Sequence, residues 1–514
     1  MLSITIEEEA KQIIDYYNTY SSHITENIHE KSAVSLIEQI EKECAVDDIK
    51  LSDGTKIWNL LRIFIRDDLP KLQKKQHREG SQLSLLPFLK ESLLPLSLPT
   101  KKGMICGFSS TESRKEVQGT YYDIYLDPLY EIFGDKFAVF EWPSESGRRR
   151  KYKGGVYSKT YVPMHIPLYT KTFWNILFYK LSKRKGFTLR SEKTLLAIID
   201  IISNQSHVEK SAVKDKMYEF ITIFYCMKQF LRSILLKLKP KMVLIRCGYG
   251  RFPMALSQAC RELNIPSIEL QHGLITANHP AYTKRTSSTN RDCTPEYLFT
   301  HGDVFSNIVK QGGLFEKNKV VAVGFPYLEQ RKKETQTSIP RKKESSFMHS
   351  ILFTSQWIAA DEIQTFIERV AQQLQKKDKT IGIIFKPHPY DNREYSSLKH
   401  YANITIADKY EDIFTIFPTV EIHATVYSIS GLEAMTFGKP NLFVDLKDIS
   451  ESGNPSIAAH SPDEFIDAIQ KILGSYEDAV ENAYELANIF FKRGALTNME
   501  KIFTTMDIMK ESNI

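Results

Sequence analysis

Residues 242–273, MVLIRCGYGRFPMALSQACRELNIPSIELQHG, leave this chain few ways to fold. An apolar run, Met242–Cys247, enters a glycine-bearing turn. Apolar residues at helical spacing follow over about 253–263, and a second apolar run, Ser267–Leu270, closes the stretch. Pro253 falls in the first helical turn, where its missing N–H breaks no intrahelical bond. Strand, helix and strand over ~30 residues make a βαβ unit, whose two strands run parallel. A parallel sheet has to be covered by helices on both faces, so one such unit implies an α/β domain.

The same rhythm recurs on either side. GMICGFSS and DKFAVFEWP read as strands, the second stopped by Pro143; YLFTHGDVFSNIVKQGG repeats strand and helix, and KVVAVGFP adds a strand. EQRKKETQTSIPRKKESS is charged, rich in Ser and Thr and without apolar periodicity, which places an inter-domain linker at 331–348. A second series begins near 350 with the strand ILFTS and a helix marked by Ile363, Ile367, Val370 and Leu374. TIGIIF is a strand running into KPHP, GLEAMTFG a helix and NLFVDL a strand. SPDEFIDAIQKILG carries a capping box from Ser461 to Glu464, Pro462 at its first position and Gly474 beyond its end. We therefore expect an α/β chain of two Rossmann-like domains, 101–330 and 349–490, facing across a cleft. A helical extension at 1–100, with Trp58, Leu61, Ile65 and Leu69 at helical intervals but no evident chemistry, precedes them. A helical tail at 491–514 follows. Ligands of such sheets bind at the carboxyl ends of strands.

The formal net charge is +6 over 514 residues, which tolerates anionic partners without requiring them. Six cysteines (Cys44, Cys106, Cys226, Cys247, Cys260, Cys293) include no CxxC pair, which argues against a zinc site or a redox motif. The opening MLSITIEEEAKQ is acidic and has no apolar signal segment, and no apolar run approaches the ~20 residues that span a bilayer. A cytoplasmic protein with reduced thiols is the expectation.

Three constellations fall where strands end. In ELQHGLITANHPAY, His272 lies just past a carboxyl end, and Gly273 permits a sharp turn or a close ligand approach. An imidazole near pH 7 can take a proton from a hydroxyl nucleophile, and Glu269, back along the strand, could orient it. Gln271 and His279 share this loop. A turn histidine bonded to a backbone carbonyl is the plainer reading. In IIFKPHPYD, two prolines hold Lys386 and His388 in a narrow range, where both can reach a phosphate or a base. A Pro-rich connection with one exposed His is the alternative. In HATVYSISGLEAMTFGKP, Ser428, Ser430 and Gly431 precede a helix whose first N–H groups favour phosphate, and Glu433 could accept from ribose hydroxyls. Dipole complementarity alone would also account for Glu433. His423 reads as structural. No Walker sequence is present, CGYGRF is a weak glycine pair, and no DxD lies between strand and turn.

Over about 240–450 the sequence resembles bacterial surface-polysaccharide (capsule and lipopolysaccharide) glycosyltransferases of the GT-B type. KPHP is similar to the HP motif of sialyltransferases and Kdo transferases that use CMP-sugars. VYSISGLEAMTFGKP resembles their serine motif and the Glu-containing nucleotide helix of GT-B enzymes. LQHG resembles the strand-end motif of CDP-glycerol glycerophosphotransferases, with Gln271 where that family has Trp. The resemblance implies that Lys386 and His388 contact the donor's phosphate or cytidine, that Ser428 and Ser430 bind phosphate, and that Glu433 binds ribose. It implies that His272 is a base or contacts a donor carboxylate. Asp123, Asp127, Glu112 and Glu141 are spare acids near early strands, and one could be the base or nucleophile.

The expected activity is transfer of a sugar from a nucleotide-activated donor, most simply a CMP-linked acidic sugar, to a growing surface glycan or lipid-linked glycan. Neither a metal ion nor another cofactor is required by this reading. Its rivals are a CDP-glycerol or CDP-ribitol phosphotransferase, a UDP-GlcNAc 2-epimerase-like enzyme, and a non-catalytic glycan-assembly or glycan-binding protein. SGRRRKYKGG and FWNILFYKLSKRKG are basic and aromatic-basic segments. They fit either a solvated loop and a charged helix end, or peripheral contact with the anionic inner face of the plasma membrane. No nucleic-acid-binding module accompanies the charge.

Overall fold

The computed structural model describes residues 5–24, 29–75, 96–101, 103–117, 119–142, 152–164, 171–183, 187–284, 288–337, 347–356, 359–389, 391–446 and 458–506. Two compact units divide the chain. One comprises Asn27–Thr300, Phe305–Val323 and Leu496–Ile514; the other comprises Met1–Glu26, His301–Val304 and Gly324–Ala495. Each is an α/β unit with one fully parallel sheet, the Rossmann-like class expected from the sequence. Strands of these two sheets are numbered in chain order.

The first unit holds β1 (Ile105–Ser109), β2 (Phe137–Glu141), β3 (Tyr161–Pro163), β4 (Met242–Ile245), β5 (Ser267–Leu270), β6 (Tyr297–Thr300) and β7 (Val320–Ala322). Their order is β7-β6-β5-β4-β1-β2-β3, all parallel. β4 and β5 pair from Val243–Ser267 to Ile245–Glu269, with helix Arg251–Glu262 between them in the chain, as the βαβ pattern requires. Every residue of β1, β2, β4 and β5 is buried, the mark of strands covered on both faces. Cys106, Phe108, Val243 and Ile245 share one core with helix Lys210–Leu238. Ile105, Leu244, Ile268 and Leu270 share the other with Phe299, Met499 and Phe503. The segment expected as a tail therefore covers a sheet face: Phe503 packs 5.0 Å from Phe133 and 5.7 Å from Phe299, ring to ring.

The second unit holds β8 (His349–Thr354), β9 (Ile381–Lys386), β10 (Ile404–Ile406), β11 (Ile422–Thr425), β12 (Asn441–Val444) and β13 (Ala458–Ala459), in the parallel order β10-β9-β8-β11-β12-β13. The Ser461 side chain accepts from the Glu464 N–H at 3.2 Å, as its motif demands, but the Glu464 carboxylate returns to the His460 N–H and not to the cap itself. Gly474 is the last helical residue and lies inside the helix end.

Two expected boundaries are redrawn. The first hundred residues do not form one extension. Helix Ile6–Ile24 carries the stripe Ala10, Ile13, Ile14, Tyr17 and buries it in the six-stranded unit, where Tyr17 Oη donates to the Ser428 carbonyl at 2.7 Å. Helix Trp58–Asp67 instead packs in the seven-stranded unit, with Phe64 against Phe220 at 5.4 Å. The stretch 331–348 is not irregular throughout, since helix Pro326–Thr337 runs into it. Its apolar residues are confined to the first turn, where Tyr327 and Leu328 are buried. The charged remainder is held by polar links: Arg331 pairs with Glu334 and, at 2.9 Å, with Asp412. Residues 338–346 lie outside the described ones. Among the described residues no helix is long and apolar enough to cross a membrane.

Candidate active site

In an open parallel sheet a crevice forms where strand order reverses, because the loops leaving those two strands turn to opposite faces. The seven-stranded sheet reverses between β1 and β4, and the six-stranded sheet between β8 and β11. Residues leaving these strands, and their neighbours β5 and β9, are the ones each fold offers to a ligand.

On β5, Ile268 and Leu270 enter one core, so Glu269 points to the opposite face. It is 1% exposed there, accepting from Tyr282 Oη at 2.8 Å and from the Gly248 N–H. A Cβ on Gly248 would lie 2.2 Å from Glu269 Oε2, so only glycine admits the carboxylate. Burial pushes the Glu269 carboxyl up to about 7, while the two hydrogen bonds pull it down. Just beyond the strand, His272 Nδ1 lies 3.9 Å from Glu269 Oε1, and its Nε2 lies 3.2 Å from Tyr249 Oη. Tyr125 Oη donates to the His272 carbonyl and Gln271 Nε2 to the Gly273 carbonyl, each at 2.8 Å, which fixes the turn from both sides. Gln271 is buried and shapes the turn; a Cβ on Gly273 would meet no atom within 4 Å.

His279 joins a ring cluster, 5.1 Å from Tyr249 and 4.9 Å from Tyr282 between centroids. Burial, then the charges of Arg66, His272 and Arg62, hold it well below the ordinary histidine range. It is neutral packing for Tyr249, whereas His272 keeps 14% side-chain exposure. A buried carboxyl that titrates near neutrality beside a partly accessible imidazole can work as an acid/base pair. The Cys247 thiol, pushed up to about 12 by burial, stays protonated beside them. Gly248→Ala is expected to displace Glu269 and lower stability by about 1–3 kcal/mol, the usual range for overpacking. Adding Glu269→Ala should restore part of that loss in a thermal melt, because the carboxylate is the nearest obstacle.

Three of the four acids expected near early strands gather around one arginine. Asp123 and Asp127 are 0% and 1% exposed and surround Arg114 together with Glu141. Arg114 Nε donates to Glu141 Oε2 at 2.8 Å, Ser158 Oγ donates to Asp127 Oδ1 at 2.6 Å, and the Asp123 N–H donates to Asp127 Oδ2 at 2.7 Å. Asp123 also accepts the N–H groups of Tyr125 and Leu126, closing the turn after its strand. Glu112 is half exposed and lies 3.8 Å from Arg246, whose guanidinium donates to Ser110 Oγ at the β1–β4 reversal.

In the six-stranded unit Lys386 is buried, and its ammonium donates to the carbonyls of Asp408 and Lys409 at 2.9 and 3.1 Å. It ties the end of β9 to the loop after β10. His388 is half-buried in the loop after β9, where the Asp391 N–H donates to the His388 carbonyl at 2.9 Å. Ser430 is 7% exposed and shares a 3.0 Å hydrogen bond with Thr354 Oγ1, which also meets His423 Nε2 at 3.0 Å. His423 reaches Asn441 through Nδ1 at 2.6 Å, and burial lowers it to about 4, so it is a neutral structural link inside the sheet. Ser428 Oγ accepts the Ser430 N–H at 3.2 Å and remains half-buried, as does Glu433. A Cβ on Gly431 would meet the Asn441 side chain at 2.9 Å, so this glycine serves close helix–strand packing. Ser428 and Glu433, beyond β11, and His388, beyond β9, are the half-buried polar groups near the β8–β11 reversal.

Sequence reasoning missed Tyr249, Tyr282 and Arg66. Tyr249 directly follows the β4 turn, inside the glycine pair. Arg66, from helix Trp58–Asp67, places its guanidinium 5.2 Å from the Tyr249 ring centre. No local pattern marks an arginine on an apolar helix as part of a site ~180 residues away in the chain, since sequence periodicity reports burial and not partners.

No protein-family model matches the chain, and no curated protein sequence matches it. Solved structures do resemble it in shape. A UDP-GlcNAc 2-epimerase from Neisseria meningitidis bound to UDP-GlcNAc is 16% identical, covering 80% of this chain and 100% of its own, with a TM-score of 0.45. A putative UDP-N-acetylglucosamine 2-epimerase from Listeria monocytogenes is 12% identical over 79% of this chain and 96% of its own, with a TM-score of 0.48. The wall teichoic acid polymerase TagF is 11% identical over 88% of this chain and 96% of its own, with a TM-score of 0.45. Identities and scores this low assign neither substrate nor reaction.

Proposed function

We propose that the protein is a GT-B glycosyltransferase that moves a sugar from a nucleotide-activated donor, most simply a CMP-linked acidic sugar, to a growing bacterial surface glycan. The observation that carries this reading is the pair His272–Glu269 at a strand's carboxyl end, beside a sheet's reversal point. The acceptor hydroxyl gives its proton to His272 as its oxygen bonds to the donor's anomeric carbon. The bond from that carbon to the phosphate oxygen breaks, and the nucleotide leaves with its negative charge. Glu269, ionised, steadies the imidazolium formed 3.9 Å away. His388, Ser428 and Glu433 contact the nucleotide, and Lys386 and Ser430 hold the loops that carry them. Support for the CMP class comes from the KPHP and serine motifs.

A second reading, transfer of glycerol or ribitol phosphate from a CDP-alcohol, is favoured specifically by the Leu270-Gln271-His272-Gly273 turn. It uses the same histidine but forms the bond at phosphorus. Incubation with CMP-sugars, UDP-sugars and CDP-alcohols, with nucleotide release measured, separates the two. CMP release from a CMP-sugar is expected. His388→Ala should weaken CMP binding about tenfold in calorimetry, the loss of roughly one charge-assisted contact. Unchanged affinity in that variant removes His388 from the donor site.

A further inference from the structure

We propose that the helix Lys171–Ser182 is an interfacial element that seats the protein on an anionic lipid surface. The helix packs inward through Ile176 and Tyr179, with Ile176 against Cys226 of helix Lys210–Leu238. Its outward stripe is apolar. Trp174, Phe178 and Leu181 fall within ~60° of one another at helical spacing, and they are 49%, 58% and 71% exposed. Elsewhere among the described residues, large hydrophobic side chains exposed to this degree lie apart from one another in the chain. Such contiguous exposure marks a surface with a partner.

Charge identifies the partner. Residues 146–191 contain twelve Lys and Arg and no Asp or Glu, against a net charge of +6 for the whole chain. Lys180 is exposed beside the stripe, and Lys183, also exposed, pairs with Asp215 of helix Lys210–Leu238 at 3.0 Å. Part of the basic run, including Arg148–Lys151 and Arg184–Lys185, lies outside the described residues and contributes here only through its sequence. The described part of the segment also contains β3 (Tyr161–Pro163), the edge strand of the seven-stranded sheet. A Trp–Phe–Leu stripe set in cationic sequence matches the boundary of acyl chains and anionic headgroups: the rings enter it and the lysines stay at the phosphates. A nucleic acid would use the charge but leave the apolar stripe in water.

The test is flotation of the full chain with vesicles of phosphatidylcholine alone and with about 30% phosphatidylglycerol, a typical anionic surface. Binding to the anionic vesicles is expected, weaker with salt and at least about tenfold weaker on neutral ones. Trp174→Ser/Phe178→Ser/Leu181→Ser retains every charge and should lose anionic binding about tenfold, with an unchanged circular dichroism spectrum. Equal binding by this variant would reduce the contact to charge alone and overturn the proposal. So would an absence of vesicle binding, or self-association of the wild type that the triple variant abolishes.

Discussion

His272→Ala is expected to lower kcat/KM by about 10²–10⁴, the range for losing a positioned general base, while leaving nucleotide affinity and thermal stability close to wild type. The side chain is partly accessible, touches Tyr249 through Nε2, and carries none of the core. Its removal therefore takes away proton transfer without opening a large cavity. Glu269→Gln separates proton acceptance from charge support. It keeps the shape that Tyr282 and Gly248 surround, and it should cost less in rate than removal of the imidazole. The pH behaviour has a definite sign. Burial places the Glu269 carboxyl at about 7 in the folded chain, above its ordinary value of 4.5. Its contribution to stability is thus fully present below pH 4.5 and lost as pH rises through 7. Above pH 8, Glu269→Gln should melt at the same temperature as wild type or higher, by up to about 3 kcal/mol in stability. The limb of the rate profile near pH 7 should flatten in the same variant. Full activity in His272→Ala would move the base elsewhere and sink the reading of this turn.

Strand ends were legible because each is set by a local contrast between an apolar run and turn residues. Ser267–Leu270 is a strand over the residues its sequence suggests, and His272 follows it directly. The helix Arg251–Glu262 begins two residues before the suggested start, since Gly250, at φ +101°, makes the turn and frees Arg251 to begin the helix. The stretch expected as a linker carries no apolar periodicity, yet helix Pro326–Thr337 enters it, because Arg331 bonded to Glu334 and Asp412 stabilises a polar helix that hydrophobic spacing cannot reveal. Helix Ile6–Ile24 falls within the stretch expected to be helical, yet its choice of unit depends on what complements Tyr16 and Tyr17. Those partners, the carbonyls of Val426, Val444 and Ser428, lie more than 400 residues onward.

The site divides along the same line. The place of each candidate residue at a strand end follows from local pattern, whereas the state of each side chain depends on long-range neighbours. Lys386 and Ser430 read as phosphate contacts because their types suit one. Their surroundings turn both inward, Lys386 to backbone carbonyls and Ser430 to Thr354, because a buried donor needs an acceptor more than an exposed one does. His279 and His272 have the same composition and nearly the same sequence setting. Only the enclosure of His279 by Tyr249, Tyr282 and the arginines separates the packing residue from the candidate base.

Arg114→Met is expected to cost about 3–5 kcal/mol at pH 7.5, the largest stability effect among these substitutions, because it leaves buried carboxylates without their cation. The guanidinium is wholly enclosed, bonded to Glu141, 3.8 Å from Asp127 and facing the rings of Tyr161 and Tyr152 at 4.9 and 5.6 Å. Even with it present, burial and then the charge of Asp123 raise the Asp127 carboxyl to about 7, and burial raises Asp123. The folded chain thus binds protons that the unfolded chain, with carboxyls near 3.8, releases. Asp127's contribution is fully present below pH 3.8 and lost as pH rises through 7. Removing Arg114 steepens this dependence, since Arg114 lowers both carboxyls. The deficit in chemical denaturation should therefore shrink toward pH 5 and grow toward pH 8. A loss below about 1 kcal/mol with a flat pH profile would mean that water and the hydroxyls, not the guanidinium, neutralise the cluster. Asp127→Asn sharpens the distinction between structure and chemistry. If the cluster is a structural hub, this variant changes stability and its pH slope while kcat per folded molecule stays constant. A fall in kcat at constant stability would return Asp127 to the candidates for base or nucleophile.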